Sequence, residues 1–361
     1  MNAGRLCVER IPDSLLVSMG EDDAQDADIA AGRLPQGEYF VLRSMFEEAF
    51  TMRRWRPDQL GSFAWQLRFA LAALRRVRAL PSLKLVYITE EIPGLFVLLA
   101  LRAARPGLKK VMLIHNVASK RRTLPFRLFG LAKDLDGVCC LSQTSKQYLI
   151  EQYGIPEGKI TVLGSRVDEA FFSSQPMPEA GSPIVSSAGA INRDYGTLIE
   201  ACQGLDVDLK IAADTAWKFS TDDASSERAR AAAQASSRVE MRSWGNYLNL
   251  RDLYRLSTVV VVPLKDVAYA SGQTVILEAM AMGRPVITSD IRGRSDFIEH
   301  GVTGIYVRPE DPAGLREAIR DLLEHPEKAA AIGQRAAAAV RERFSVRHYV
   351  DRILGACLAV L

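Results

Sequence analysis

The chain has 361 residues, 48% of them hydrophobic and 25% charged, with a formal net charge of +3. That length suits two globular domains that each bury a core, and so small a positive surplus does not argue for nucleic acid. The longest apolar runs, 95–101 and 259–264, fall far short of the roughly 20 residues that cross a bilayer.

Glu9, Arg10 and Asp13 precede any apolar stretch, so no secretory signal is expected. Five cysteines without a CxxC spacing (Cys7, Cys139, Cys140, Cys202, Cys357) read as reduced, mostly buried thiols of a cytosolic protein. Residues 15–19 suit a strand, followed by an acidic segment, 20–28, that reads as a solvated loop. No Gly-rich turn enters a helix there, so the first 37 residues are atypical of a doubly wound domain.

From there strands and helices alternate. Strands fit 38–42, 83–89, 109–115, 137–142 and 160–163; helices fit 58–80, 93–105, 121–133 and 143–153. The stretch 173–183 (SSQPMPEAGSP) is rich in Pro, Ser and Gly and reads as a linker. A second series places strands at 184–190, 208–213, 239–242, 258–263, 285–289 and 304–307. Its helices fit 195–205, 250–256, 273–282 and 312–324, then 327–343 and 345–361. The pattern predicts an α/β chain with two doubly wound parallel sheets covered on both faces. The expected division is 1–172, a linker 173–183, 184–344, and a last helix, 345–361, crossing back to the first domain.

The most informative stretch runs from Ala270 to Thr288, as strand, small-residue loop, helix, glycine stop and strand. Ser271 and Gly272 feed a helix opening at Gln273 and Thr274, whose unbonded amides and positive dipole end make a seat for phosphate. Glu278 lies one turn further in, about 6 Å along the axis, with its side chain leaning back toward the helix start. A carboxylate there suits ribose hydroxyls, and phosphate beside ribose means a nucleotide. The alternative is an ordinary turn and a surface glutamate, but an acid inside Val-Ile-Leu-Glu-Ala-Met-Ala-Met is costly to bury without a partner.

Asp134-Leu135-Asp136 and Asp206-Val207-Asp208 resemble metal-binding pairs, but both sit where a helix or loop gives way to a strand. A solvated turn explains them, and no metal is assigned. Two basic segments of the first domain carry aromatics. One contains Arg53, Arg54, Trp55, Arg56, Phe63, Trp65, Arg68, Phe69, Arg75, Arg76 and Arg78; the other contains Lys109, Lys110, Lys120, Arg121, Arg122, Phe126, Arg127 and Phe129. Such mixtures suit peripheral contact with an anionic membrane, or else surface helices whose aromatics face the core.

The second half resembles the donor domain of GT-B glycosyltransferases of the retaining family 4 ("group 1"). The resemblance is carried, in order, by Ser187-Ala188-Gly189, Arg193-Asp194-Tyr195, Trp244-Gly245, Leu253-Tyr254, Leu277-Glu278-Ala279-Met280-Ala281, Gly283 with Pro285-Val286-Ile287, and Gly301-Val302-Thr303-Gly304. Ile114-His115-Asn116 and Ser142 resemble the acceptor domain more loosely. The resemblance implies two Rossmann-like domains facing a cleft and a nucleotide-sugar held mainly by the second. It further implies Gly189, Ser271, Gly272, Gln273, Thr274 and Glu278 at the donor. The family's first motif glutamate falls on Ala270 and is missing; it ordinarily touches the sugar hydroxyls. The family's phosphate-binding Arg and Lys fall near Ala190 and Tyr195, leaving Arg193 as the nearest cation, with Lys265 or Lys218 in reserve. Ser165-Arg166-Val167-Asp168 replaces a common Asn-Gly-Val-Asp turn.

His115, at a strand end where open α/β sheets bind ligands, either contacts the donor sugar, orients the acceptor hydroxyl, or is a satisfied loop histidine. Asn246 and Tyr247 either line the base pocket or pack against a neighbouring helix. The reading that follows is a cytoplasmic retaining glycosyltransferase with a nucleotide-sugar as substrate and no cofactor. Its acceptor is a glycan, lipid-linked sugar or small metabolite in surface polysaccharide, glycolipid or glycosylated-metabolite synthesis. The alternatives are a non-catalytic binder of nucleotide-sugar or of a partner enzyme, and an epimerase on the same fold.

Overall fold

The computed structural model describes residues 9–18, 23–51, 62–115, 128–177, 181–213, 231, 233–234, 236–267 and 270–361. It divides into two compact units: residues 1–32, 36–164 and 347–361 form unit 1, and residues 33–35 and 165–346 form unit 2.

Unit 1 contains strands β1 (Ile11–Ser18), β2 (Phe46–Thr51), β3 (Leu85–Ile88), β4 (Lys109–Ile114), β5 (Gly137–Cys140) and β6 (Ile160–Val162). They form one parallel sheet in the order β2-β1-β3-β4-β5-β6. Its helices are α1 (Asp23–Ala30), α2 (Glu38–Met45), α3 (Phe63–Arg78), α4 (Glu91–Ala104), α5 (Gln143–Tyr153) and, from the far end of the chain, α11 (Val346–Leu358). Tyr349 of α11 donates its hydroxyl to Glu38 Oε1 of α2 at 2.7 Å.

The strand expected at 38–42 is a helix. Val41, Leu42 and Met45 are buried at helical spacing behind Glu38, and the strand is the next segment, Phe46–Thr51. A short run of aromatic and branched residues does not reveal its period until a core face is chosen. Part of the supposed solvated loop at 20–28 is α1, whereas the strand expected near 15–19 is present as β1, between β2 and β3 in the sheet.

Unit 2 contains β7 (Ile184–Ala188), β8 (Asp208–Ala212), β9 (Val239–Arg242), β10 (Val259–Val262), β11 (Val286–Ser289) and β12 (Ile305–Val307). Its helices are α6 (Tyr195–Cys202), α7 (Tyr247–Leu256), α8 (Gln273–Ala281), α9 (Pro312–Glu324) and α10 (Pro326–Arg343). All six strands are parallel, in the order β12-β11-β10-β7-β8-β9. Counted within the unit this is the doubly wound order 3-2-1-4-5-6, whose direction of winding reverses between β7 and β10. Two parallel α/β sheets were legible in the alternation of periods, and both are present.

The expected boundary at 172 moves. Phe171 and Phe172 belong to the core of unit 2, where Phe172 lies 6.2 Å from the Tyr254 ring. The fully buried Arg284 donates from Nη2 to the carbonyls of Gln175 (2.8 Å) and Pro176 (2.5 Å). The start of the supposed linker is thus fastened to unit 2; residues 178–180 lie outside the described residues.

The end of α8 is seated by an unusually close helix contact. Gly283 turns the chain at φ +71°, and a Cβ on Gly333 of α10 would sit 2.1 Å from the Gly283 carbonyl oxygen. Gly333→Ala should therefore lower unfolding free energy by about 2–3 kcal/mol, the upper range for overpacking. The midpoint of chemical denaturation checks this; an unchanged or raised midpoint would mean that α10 moves aside freely.

Candidate functional site

In a doubly wound sheet, ligands bind beyond the carboxyl ends of the strands where the winding reverses. In unit 2 that place holds a cavity of about 720 Å³, well within the size range of small-molecule sites. Four segments wall it: the turn after β7, the end of β8 at Ala212, the entry to α7, and the entry to α8.

After β7 the chain turns at Gly189 (φ +93°), whose amide donates to Ala212 O at 3.0 Å. Arg193 then folds back over that turn. Its Nε donates to Ala188 O and its Nη1 to Ile191 O, both at 2.9 Å. A Cβ on Gly189 would lie 2.7 Å from Arg193 Nη2, so a larger residue there would push the guanidinium aside. Asp194 N–H donates to Pro263 O and Lys265 N–H to Asn192 O, both at 3.0 Å, tying the turn to the end of β10. Arg193 is 8% exposed and, among the described residues, has no carboxylate partner. Burial lowers its pKa. A buried cation without a counter-ion, beside a cavity, is an electrostatic vacancy for an anion.

The opposite wall supplies a second attraction for the same charge. Gly272 caps α8 at φ +75°, where a Cβ would meet Val262 Cγ1 at 2.9 Å, and no side chain caps the helix. The first helical bond is from Ile276 N–H to Gly272 O at 3.0 Å, so the amides of Gln273, Thr274 and Val275 have no acceptor within the helix. Ser271 joins the two walls by accepting from Asn192 Nδ2 at 3.3 Å. Ala270, Ser271, Gly272, Gln273 and Thr274 all line the cavity with Gly189 and Arg193.

Glu278 also lines it and is 3% exposed. It is not a surface glutamate. Tyr254 of α7 donates its hydroxyl to Glu278 Oε2 at 2.9 Å. Burial pushes the Glu278 pKa up to about 8, against which the Tyr254 hydrogen bond works only in part. The same neighbourhood holds the Tyr254 hydroxyl well above its ordinary range.

Asn246 and Tyr247 line the cavity, and each also has a structural task. Asn246 Oδ1 caps α7 by accepting from Asn249 N–H at 2.9 Å. The Tyr247 ring stands 6.5 Å from both Phe171 and Phe172, edge on. Tyr254, Ala212 and Leu250 were not singled out as site residues. Of these only Tyr254 had a signal: a polar aromatic in an amphipathic helix needs a partner for its hydroxyl when buried.

His115 belongs to unit 1 and does not line this cavity. Its backbone N–H donates to Glu91 Oε2 at 3.3 Å, and its Nε2 lies 3.1 Å from Thr89 O. A carbonyl only accepts, so in this contact Nε2 is the donor. Asn116 and Lys218 lie outside the described residues.

Three of the four aspartates in these pairs are held by cations of their own. Asp134 accepts from Arg102 Nε at 2.6 Å, Asp136 pairs with Lys109 at 3.1 Å, and Asp206 pairs with Arg238. The basic-aromatic segments resolve in part. Trp65 and Phe69 face the core, whereas Phe63 is 66% exposed. Lys110 is buried, with Nζ donating to Leu108 O at 2.5 Å. Residues 53–56, 120–122, 126 and 127 lie outside the described residues. Among the described residues no helix is long and apolar enough to cross a membrane.

Two family models match in tandem: Glycosyltransferase Family 4 over residues 26–171 and Glycosyl transferases group 1 over 184–325. Among curated relatives, glycogen synthase of Mycobacterium tuberculosis is 24% identical over 331 residues, covering 88% of this chain and 72% of that protein. Among solved structures, a glycosyltransferase of Rickettsia africae superposes with a TM-score of 0.71 at 18% identity, covering 96% of this chain and 89% of the other. Anabaena HepE in complex with UDP superposes with a TM-score of 0.70 at 19% identity, covering 96% and 100%.

Proposed function

The chain belongs to the GT-B glycosyltransferases, and from that premise we propose a retaining transfer from a nucleotide-sugar to an acceptor hydroxyl. The observation that carries this reading is the buried Arg193, without a carboxylate partner among the described residues, facing the uncapped start of α8 across one cavity. The diphosphate sits between them. The ribose hydroxyls donate to Glu278, and the base lies along Ala212, Gly245, Asn246, Tyr247 and Leu250. HepE was solved with UDP-glucose as well as UDP, which supports a nucleotide-sugar donor here.

Transfer breaks the bond between the anomeric carbon and a diphosphate oxygen while the acceptor oxygen bonds to the same face of that carbon. Positive charge grows on the ring and negative charge on the leaving oxygen. The free amides of Gln273 and Thr274 and the guanidinium of Arg193 stabilise that oxygen without reorganising, Arg offering two parallel donors. The acceptor proton passes to the departing diphosphate, so no dedicated protein base is needed. His115 orients the acceptor hydroxyl. No metal is required, since Arg193 and the start of α8 supply the positive charge at the diphosphate. The acceptor is a glycan, a lipid-linked sugar or a small metabolite, in surface polysaccharide, glycolipid or glycosylated-metabolite synthesis. The four described cysteines are free and buried, which supports a reducing, cytoplasmic setting.

Ala270 favours a second reading, a non-catalytic nucleotide-sugar binder, because it presents a methyl group to the cavity where the family presents a carboxylate. Calorimetry with nucleoside diphosphates and donor-hydrolysis assays separate the two. Glu278→Ala should weaken nucleotide binding by about 1.5–3 kcal/mol, the range for hydrogen bonds to a charged group. Unchanged affinity in a folded variant removes the ribose role. Tight binding with neither hydrolysis nor transfer across an acceptor panel selects the binder.

A further inference from the structure

Helix α3 leaves one face uncovered. Trp65, Phe69, Ala73 and Val77 bury the opposite face against the sheet of unit 1. On the outer face Phe63, Leu67 and Leu71 follow one another at i, i+4 and i+8, and they are 66%, 42% and 46% exposed. At 1.5 Å per residue they make an apolar ridge about 12 Å long. Phe63 is held upright by an edge-on contact with Phe96 of α4, 5.3 Å between centroids.

Arg68, Arg75 and Arg78 are exposed beside that ridge. Arg76 pairs with Glu48, but none of these three has an ion-pair partner among the described residues, and α3 contains no acidic residue. At 100° per residue the three apolar side chains and the three arginines share an arc of about 140°. An exposed apolar ridge on a folded surface calls for a partner, and arginines along it without an ion-pair partner among the described residues state the partner's charge.

We propose that this face of α3 docks on an anionic lipid surface, with Phe63, Leu67 and Leu71 entering the headgroup boundary and Arg68, Arg75 and Arg78 meeting lipid phosphates. A helix lying in the plane of a membrane needs this combination of a basic flank and an apolar edge. A second copy of the chain fits worse. A two-fold pairing of this face sets three arginines against three arginines with no acid of α3 between them. The inference rests on unit 1 alone and is independent of the nucleotide cavity in unit 2.

The test is co-sedimentation of the full chain with phosphatidylcholine vesicles, with and without phosphatidylglycerol, at low and high salt. Binding should require phosphatidylglycerol and fall as salt rises. The triple change Arg68→Gln, Arg75→Gln, Arg78→Gln should weaken it about a hundredfold, since each charge near an anionic surface is worth roughly a factor of five. Leu67→Asp with Leu71→Asp should weaken it at least about tenfold. Both variants should keep the wild-type far-ultraviolet circular dichroism and unfolding midpoint, which separates loss of docking from loss of fold. The proposal is overturned if wild type ignores phosphatidylglycerol or if both variants bind as wild type. It is equally overturned if the chain forms a dimer that Leu67→Asp dissociates and shows no vesicle binding.

Discussion

Relative to Glu278→Gln, the wild-type chain is expected to lose about 5 kcal/mol of stability as pH rises from 4.5 to about 8. The sign follows from where the proton resides. In the unfolded chain Glu278 ionises near its ordinary value of 4.5, whereas in the folded chain burial holds the proton on until about pH 8. Between those values unfolding releases a proton, so stability is full below the lower value and declines by roughly 1.4 kcal/mol per pH unit toward the upper. Above it both states are ionised and the loss levels off. Denaturant titrations of both proteins across the window measure the difference. Parallel curves would mean that Glu278 is solvated in solution. Nucleotide binding should run the other way. Ribose hydroxyls donate to the carboxylate, so bound nucleotide favours the ionised form and affinity rises with pH through the same window. Calorimetry in buffers of different ionisation enthalpy should detect the released proton.

Arg193→Gln is expected to lower kcat by about 10²–10³, the usual effect of removing one preorganised donor from a developing oxyanion. Arg193 does two things at once. Its Nε and Nη1 fix the turn after β7 through Ala188 O and Ile191 O, and its charge, without a carboxylate partner among the described residues, lies beside the cavity. Arg193→Lys should recover little, because an ammonium cannot hold both carbonyls and still present a planar pair of donors. Steady-state kinetics with the best donor from a nucleotide-sugar panel checks this. A fall of less than about threefold in the glutamine variant would place the leaving diphosphate elsewhere.

The alternation of strand and helix was readable wherever a strand was an unbroken apolar run, as at Val259–Val262, whose four residues are all buried. It failed at α2, where Tyr39, Phe40, Val41 and Leu42 have strand-like side chains but a helical burial pattern. Which of two periods a short run adopts depends on the face the sheet offers it, and that is tertiary information. The entry to α8 was legible because a Ser-Gly turn ahead of an apolar run marks a helix start. The depth of Glu278 was inferable from its apolar neighbours, but its partner was not. Tyr254 lies 24 residues away on another helix, and no local spacing pairs them. Trp65 and Phe63 stand two residues apart on α3, yet one is buried and the other two-thirds exposed. Their phase on the helix separates them, and only packing fixes the phase.

Amide chemical shifts followed by NMR during titration with nucleoside diphosphates test the central claim, that a diphosphate seats between Arg193 and the start of α8. The account predicts that the largest shifts fall on Gly189, Gln273, Thr274 and Val275, and that they collapse in Arg193→Gln. Shifts confined to other parts of the chain, with those amides unmoved at saturating ligand, would contradict it.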